Sequence, residues 1–235
     1  MRAVPEVLLQ GDRTFIDSIP CASEIKAATF DLDPDSAPGP DGFGGWFYRN
    51  CWEIIGKDVI AAIQYCWKRC YIPNGLNSNF LVLIPKTQNA KKANQFRPIG
   101  LFNFFFKIFT KILTMRISNL LSKIISPQHG AFIKDNSIQE QIVLASEMEL
   151  FRSSRISIMI NGGPAGYFSV ERGLIQGDPL SPFIFVIAED VLSKALSQIV
   201  AEKKLLPMVN RNGICPTHIF FADDMFLFCN GDKIM

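Results

Sequence analysis

The sequence predicts an α/β fold, α+β in the stricter sense, with a helical first part and antiparallel hairpins packed on helices in the second. Three observations carry this. Apolar residues recur at helical spacing along Val59, Ile60, Ile63, Cys66 and Trp67, and again across residues 101–125. Beyond residue 150 the period shortens to two, with Ile156, Ile158 and Ile160 alternating before a glycine-rich turn. Residues 218–229 then set two Phe- and Ile-rich arms around Asp223 and Asp224, the pattern of a half-buried hairpin with acids at or near its tip. With 48% apolar residues in a chain of 235, there is ample length for a core in one large domain or two small ones.

In chain order, residues 1–20 read as an N-terminal tail. Ser23 has the chemistry of an N-cap for a helix over 24–30, with Ile25 and Ala28 inward. Asp31, Asp33 and Asp35 fall in a loop ended by proline, which runs into Pro38-Gly39-Pro40-Asp41-Gly42. A helix is predicted over 43–55 and another from Asp58, their apolar stripe serving as core. After Pro73-Asn74-Gly75, residues 79–84 read as a buried strand leading into Pro85-Lys86, then Lys91, Lys92 and Phe96-Arg97-Pro98-Ile99. The helix over 101–125 shares one face among Phe105, Ile108, Phe109, Ile112, Leu113, Ile117, Leu120, Leu121 and Ile124, leaving Lys107, Lys111 and Lys123 largely opposite. Pro127-Gln128-His129-Gly130 ends it. A strand over 156–160 turns through residues 162–166 into a second at 167–170. Gly177-Asp178-Pro179 makes a tight turn, Ser181 suits an N-cap and Pro182 a first helical position. The helix over 183–200 points Phe185, Ala188, Leu192, Leu196 and Ile199 inward.

The net charge of +2 conceals a strong asymmetry. Residues 1–58 hold ten acids and five Lys/Arg, residues 59–134 hold eleven Lys/Arg and no acid, and residues 135–235 hold twelve acids and eight Lys/Arg. An acid-free stretch of this charge predicts a surface facing phosphates. No apolar run approaches a membrane span, and Arg2, Glu6, Asp12 and Arg13 interrupt any signal-peptide pattern, so the expectation is a nuclear or cytoplasmic protein that is not secreted and has no membrane partner. The six cysteines form no Cys-x-x-Cys pair, and reduced thiols are expected; Cys66 and Cys70, one helical turn apart, read as core thiols.

Asp223 and Asp224 offer carboxylate oxygens, the ligands that magnesium prefers. Lys86 supplies a mobile point charge and Arg97 a planar fork, both suited to phosphate oxygens. Taken alone, adjacent acids are a polar turn. Arg172-Gly173-Leu174-Ile175-Gln176-Gly177-Asp178-Pro179-Leu180-Ser181-Pro182 upstream and Phe221-Ala222-Asp223-Asp224 downstream resemble, in order, the reverse transcriptases of non-LTR (LINE-type) retrotransposons, particularly those of plants. Pro38-Gly39-Pro40-Asp41-Gly42, Ile84-Pro85-Lys86, Phe96-Arg97-Pro98-Ile99, the 127–132 segment and the 142–147 segment extend the resemblance. It implies a right-hand polymerase-like fold, with fingers over 21–150 and palm from 151. Implied roles are metal binding and catalysis for Asp223 and Asp224, a grip on the triphosphate for Lys86 and Arg97, and a floor beneath template and nucleotide for Gln176 and Gly177. Its implied cofactor is Mg2+, and its implied partners are an RNA template, a DNA primer and deoxynucleoside triphosphates. Oligomeric state is left open.

The resemblance breaks at Leu150/Phe151, where the family continues into a strand carrying its first metal-binding Asp, then an aromatic residue and a long helix. The chain also stops soon after Cys229, without thumb or last palm motif. Two-ion phosphoryl transfer needs carboxylates on both sides of the ion pair, so impaired or absent activity is expected. Asp31, Asp33, Asp135, Glu147 and Glu149 are the candidate replacements. A missing palm strand would also leave a sheet edge unpaired. A non-enzymatic nucleic-acid-binding module and a retroelement fragment without function are the alternatives.

Overall fold

From Phe102 to Thr110 every side chain is buried, and the fold is built around this stretch. The computed structural model describes residues 10–121, 155–169, 176–206, 217–221 and 224–228. Helices α1 (Gln10–Asp17), α2 (Ala22–Asp31), α3 (Gly45–Asn50), α4 (Trp52–Arg69) and α5 (Phe104–Leu121) are followed by α6 (Ser181–Ala201). Strands are β1 (Ser78–Pro85), β2 (Phe96–Phe102), β3 (Arg155–Ile160), β4 (Gly163–Ser169), β5 (His218–Phe221) and β6 (Asp224–Leu227). The fold is therefore α+β. Among the described residues no helix is long and apolar enough to cross a membrane. Expectations for residues 127–132, 142–147, 171–175 and 150/151, and for Asp223, Asp135, Glu147, Glu149, Lys123 and Ile124, lie outside the described residues.

The chain divides into two compact units. One comprises Asp17–Arg116 with Val143–Pro182, the other Met1–Ile16, Ile117–Ile142 and Phe183–Met235. In the first, a four-stranded sheet has the order β2-β1-β3-β4. β1 pairs antiparallel with β2, from Asn79↔Phe102 to Pro85↔Phe96, and parallel with β3, from Ser78↔Arg155 to Leu81↔Ile158. The sheet is thus mixed rather than made only of antiparallel hairpins, and it joins strands from both sides of the 150/151 boundary. Hairpin periodicity reports the local partner of a strand, not the distant one that completes its other edge.

Aromatic rings fill the space around α5. Phe104 meets Tyr48 at 5.0 Å, Phe109 meets Trp67 at 4.8 Å, and Phe102 stacks on Phe106 at 5.3 Å. Each buried ring stabilises by roughly 1.5–3 kcal/mol through its area alone. The predicted apolar face is buried from Phe105 to Leu120, but much of the opposite side is buried too, with Ser118 and Asn119 exposed near the end of the helix. Lys107 is 8% exposed and donates to Ser36 Oγ at 3.1 Å and the Ala37 carbonyl at 3.0 Å. Burial pulls its pKa down, against the Asp33 and Asp41 charges that hold it up. Lys111 pairs with Asp31 at 2.6 Å.

Arg116, 2% exposed, makes a two-pronged bond to Glu24, with Nε at 2.7 Å and a terminal nitrogen at 2.8 Å. Its guanidinium also donates to the Ser18 carbonyl and lies 4.8 Å over the Trp67 ring. Trp67 in turn donates to the Asp17 carbonyl at 3.1 Å. This one side chain ties α2 and α4 to the far end of α5.

Asn103 performs the same office at the near end. Its Oδ1 accepts Asp41 N–H at 3.1 Å, and its Nδ2 donates to the Gly75 carbonyl at 2.9 Å. Gly39 presses so closely here that a Cβ would stand 2.3 Å from the Asn103 nitrogen. The Pro38-to-Gly42 run is therefore a packing device around Asn103.

Several predicted details change. Cys21, not Ser23, stands at the α2 cap position, and it makes no side-chain cap bond. The break between α3 and α4 falls at Cys51 rather than before Asp58. Gly56, which falls between the two predicted helices, is helical; a Cβ there would meet the Trp52 ring at 2.9 Å, so the glycine seats that ring. Cys70 is exposed, at the left-handed end of α4, rather than core. β1 is buried only toward its start, with Leu83 and Ile84 exposed. The β3–β4 turn is Asn161-Gly162, both with positive φ, so β4 starts at Gly163 and not at Tyr167. That is the Asn-Gly hairpin signal, overlooked beside a richer glycine run.

α6 buries Ile184, Val186, Ile187, Asp190 and Ser193, while Phe185, Ala188, Leu192 and Ile199 are exposed. This helix is apolar nearly all round, so periodicity could not choose its inner face; the polar contacts of Asp190 and Ser193 lie on that face instead.

Replacing Arg116 with Ala strands a partly buried Glu24 and empties the space over Trp67. The expected loss is about 3–5 kcal/mol, the range for breaking a buried pair. Urea unfolding of Arg116→Ala and Arg116→Lys measures it, with Lys recovering only part because it cannot reproduce the fork.

Candidate nucleic-acid interface

Of the eleven basic residues in the acid-free segment, Lys107, Lys111 and Arg116 are consumed inside the fold, and Lys123 and Lys134 lie outside the described residues. Lys68 and Arg69 are exposed at the end of α4, with Arg69 over the Tyr65 ring. The remaining four, Lys86, Lys91, Lys92 and Arg97, are exposed at one end of the β1–β2 hairpin.

Geometry there is set by the backbone. Pro85 pairs with Phe96 and Ile84 with Arg97, so Lys86 and Arg97 emerge close together from adjacent strands. Lys86 N–H donates to the Gln95 carbonyl at 2.8 Å, extending the ladder by one bond. Its Nζ reaches the Asn94 carbonyl at 3.3 Å. The Gln95 side chain accepts from Lys91 and Lys92 N–H at 2.8 and 2.9 Å, closing the connecting segment into a 3-10 turn over Ala93–Gln95. Four cations are thereby held on one short, ordered projection, with no acid between them in sequence.

Gln176 and Gly177 dock on the same strand. The Gln176 carbonyl accepts Gly100 N–H at 2.7 Å. Gly177 has φ +121, and a Cβ there would lie 2.4 Å from the Gly100 carbonyl oxygen. Only glycine permits this approach of two backbones. Gly100 lies three residues from Arg97, about 10 Å along an extended strand. Lys86, Arg97, Gln176 and Gly177 are thus brought to one strand pair. The docked segment also takes up the Gly100 N–H on the outer edge of β2, a group that a sheet edge otherwise exposes to pairing with other chains.

Asp178, which sequence reasoning left as a turn residue, is 4% exposed and caps α6. Its Oδ2 accepts both Ser181 N–H and Ser181 Oγ at 2.8 Å. Ser181 is therefore the partner of the cap and not the cap itself. Burial pushes the Asp178 carboxyl upward, against the Ser181 bonds that hold it down. An acid three residues ahead of the first helical turn was the available signal.

In the second unit, β5 and β6 pair antiparallel from His218↔Leu227 to Phe221↔Asp224, the hairpin expected around the acid pair. Asp224 opens β6 and is exposed. β6 is exposed along its whole length, including Met225, Phe226 and Leu227, whereas a half-buried arm was expected. The hairpin is a two-stranded ribbon held through β5. His218, 2% exposed, bonds Ser193 Oγ of α6 through Nε2 at 2.6 Å and Thr217 Oγ1 through Nδ1 at 2.9 Å.

Among the described residues no three His, Cys, Asp or Glu side chains converge as a metal site. Of the candidate substitutes, Asp31 is paired with Lys111, and Asp33 Oδ1 accepts Asp35 N–H at 3.0 Å. Of the acid pair, Asp224 is described and exposed, and Asp223 lies outside the described residues.

No protein-family model matches the chain. It is similar to the retrovirus-related Pol polyprotein from the type-2 retrotransposable element R2DM of Drosophila melanogaster, 25% identical across 87% of this chain. It is also similar to the transposon TX1 uncharacterized 149 kDa protein of Xenopus laevis, 22% identical across 53% of this chain. An uncharacterized mitochondrial protein of Arabidopsis thaliana is 43% identical over 68 residues, 28% of this chain. The matched stretches span 23%, 10% and 55% of those relatives' own lengths.

Two outcomes follow from this geometry. Gly177→Ala forces an unfavourable φ and a backbone clash, and should cost about 2–3 kcal/mol in urea unfolding. His218 has its pKa lowered from 6.5 by burial. Its contribution to stability is complete above the unfolded pKa and is lost as pH falls through the lower folded one. Denaturation between pH 7.5 and 5 should show stability falling below about pH 6.5, and His218→Gln should flatten that part of the profile. The homologues are non-LTR retrotransposon proteins, at low identity but over much of the chain, which supports a LINE-type retroelement origin.

Proposed function

We propose that the chain derives from the reverse-transcriptase domain of a LINE-type retroelement, and that as written it binds nucleic acid without extending a primer. The observation that carries this is the exposed cation group on the β1–β2 hairpin, with Gln176 and Gly177 docked three residues from Arg97. In this reading residues 21–150 correspond to fingers and residues from 151 to an incomplete palm. Lys86 and Arg97 contact phosphates of a triphosphate or a primed RNA template, and Gln176-Gly177 shapes the floor beside them.

Asp223 and Asp224 form one side of a Mg2+ clamp. Magnesium bound there would neutralise charge on phosphate oxygens; the acids of this hairpin would hold it, and the acid-bearing strand that supplies the other side in the family is the part missing at Leu150/Phe151. The match to the R2DM polyprotein runs over 253 residues while taking in 87% of a 235-residue chain, so it contains stretches this chain lacks. That supports an internal deletion.

The test is binding to a primed RNA template across a salt series. Affinity should fall steeply with salt through counterion release. Lys86→Ala and Arg97→Ala should each weaken binding several-fold and reduce the salt slope by about 1. Lys204→Ala, an exposed residue already paired with Glu202 at 2.6 Å, should have little effect. Equal losses from all three remove the assigned roles of Lys86 and Arg97; a flat salt response removes the nucleic-acid reading. Robust magnesium-dependent primer extension by the same chain overturns the claim of lost activity.

A further inference from the structure

On another part of the first unit, an open cleft of about 320 Å3 is lined by Asp41, Asn74, Ser78, Asn103, Arg155 and Tyr167, among others. Its volume is at the small end of the range for ligand sites. The lining comes from five separate stretches of the chain: the loop after α2, the turn that runs into β1 with its first residue Ser78, the residue before α5, and the strands β3 and β4. None of these residues lies at the Lys86–Arg97 end of the β1–β2 hairpin.

The cleft has a rigid floor and two working walls. Asn103 spends its amide on Asp41 N–H and on the Gly75 and Leu76 carbonyls, so it fixes the loops and is not available to a ligand. Asp41 is held from both ends: its N–H goes to Asn103 Oδ1, and its Oδ1 accepts Phe43 N–H at 3.1 Å. Its carboxylate lies in the field of the Lys107 ammonium, and no side chain among the described residues donates a hydrogen bond to it. The residue is exposed, yet desolvation of its carboxyl by its neighbours pushes its pKa upward. Arg155, at the start of β3, is anchored through its backbone N–H to the Asn77 carbonyl at 3.2 Å, while its guanidinium makes no ion pair among the described residues. Tyr167, on edge strand β4, is 59% exposed, a large ring presented to solvent.

An exposed aromatic ring, a guanidinium without an ion pair among the described residues and one fixed carboxylate line a single cleft, and they suit the base face, the phosphate and the base edge of a nucleotide. We propose that this cleft binds one nucleotide with its base on Tyr167, its phosphate on Arg155 and its donor edge on Asp41, and that guanine is the preferred base. Aromatic side chains provide stacking platforms for any base, and arginine pairs with phosphate. A carboxylate selects among bases because it only accepts hydrogen bonds. Guanine presents N1–H and a 2-amino group side by side, whereas uracil flanks its single N–H with carbonyls that a carboxylate repels. The inference rests on the nucleic-acid reading above and adds a base preference that the basic hairpin cannot provide, since lysine and arginine on phosphates read no sequence.

The test is a fluorescence anisotropy titration of the 235-residue chain with two labelled single-stranded RNA pentamers, UUGUU and UUUUU. UUGUU should bind about tenfold more tightly, within the discrimination of one good base-edge contact. Asp41→Asn should bring the ratio near one. Tyr167→Ala should weaken both pentamers about tenfold, Tyr167→Phe should not, and Arg155→Ala should weaken both and lower the salt slope by about 1. Lys86→Ala should weaken both and leave the ratio intact. Guanosine monophosphate as competitor identifies the source: Asp41-dependent displacement of UUGUU assigns the cleft to free nucleotides, and no displacement assigns it to a strand.

Equal affinity of the unaltered chain for both pentamers, or a ratio that survives Asp41→Asn, overturns the proposal. Salt-sensitive binding without base preference overturns this inference alone, whereas no RNA binding overturns the functional reading with it. Unfolding midpoints recorded for each variant separate lost contacts from lost folding, and Tyr167→Ala, on an exposed edge strand, tests the cleft independently of the Asn103 loops.

Discussion

The burial of α5 on nearly every side from Phe104 to Ile117 is the constraint on which the rest of the structure depends. A helix turn that faces protein all round cannot leave its polar side chains to solvent, so each buried one must be satisfied internally. Lys107 spends its charge on the 36–37 loop, Arg116 on Glu24 and Ser18, and Asn103, just ahead of the helix, on the loops at 41 and 75–76. These bonds fix the segments that the aromatic packing alone would allow to slide. They also divide the basic segment into two populations. Lys107, Lys111 and Arg116 on α5 are structural, whereas among the described residues the four cations on the β1–β2 hairpin, with Lys68 and Arg69 at the end of α4, remain exposed.

Two glycines show how tight packing is placed next to the surfaces proposed for binding. Gly39 lies against Asn103 and Gly177 against Gly100, each at a distance no side chain could share. Glycine-rich runs beside charged residues read readily as phosphate loops. Here their immediate cause is backbone-on-backbone contact, and their effect on function is indirect: Gly39 holds the loop bearing Asp41, and Gly177 holds Gln176 to the strand bearing Arg97. A small change at either position would therefore act on binding through position, not through lost contact.

Long, strongly periodic segments were legible from the sequence. The stripe from Val59 to Cys66 and the apolar face of α5 stand as read, and β3–β4 and β5–β6 pair antiparallel as expected, although the β3–β4 turn falls at Asn161-Gly162 and β6 is exposed rather than half-buried. What was not legible depended on partners distant in the chain. Nothing local in Ser78–Pro85 announces a parallel partner at Arg155, and nothing in Lys107 separates a buried clasp from a solvated charge. The inner face of α6 was misread because its apolar residues surround the helix, so that Ser193 and Asp190 decide the orientation. At the candidate interface, composition narrowed the search to a segment, and the resemblance narrowed it to Lys86, Arg97, Gln176 and Gly177. Their gathering on one strand pair required the fold.

The central claim is that the end of the β1–β2 hairpin faces nucleic-acid phosphates. Ultraviolet crosslinking of the chain to a uridine-substituted, photoreactive RNA, followed by mass-spectrometric mapping of the attached peptides, tests it most directly. The account predicts crosslinks concentrated in the peptides carrying residues 86–97 and 176–178, and their loss when salt is raised. Crosslinks confined to the end of α4 around Lys68 and Arg69, with none on the hairpin, would contradict it.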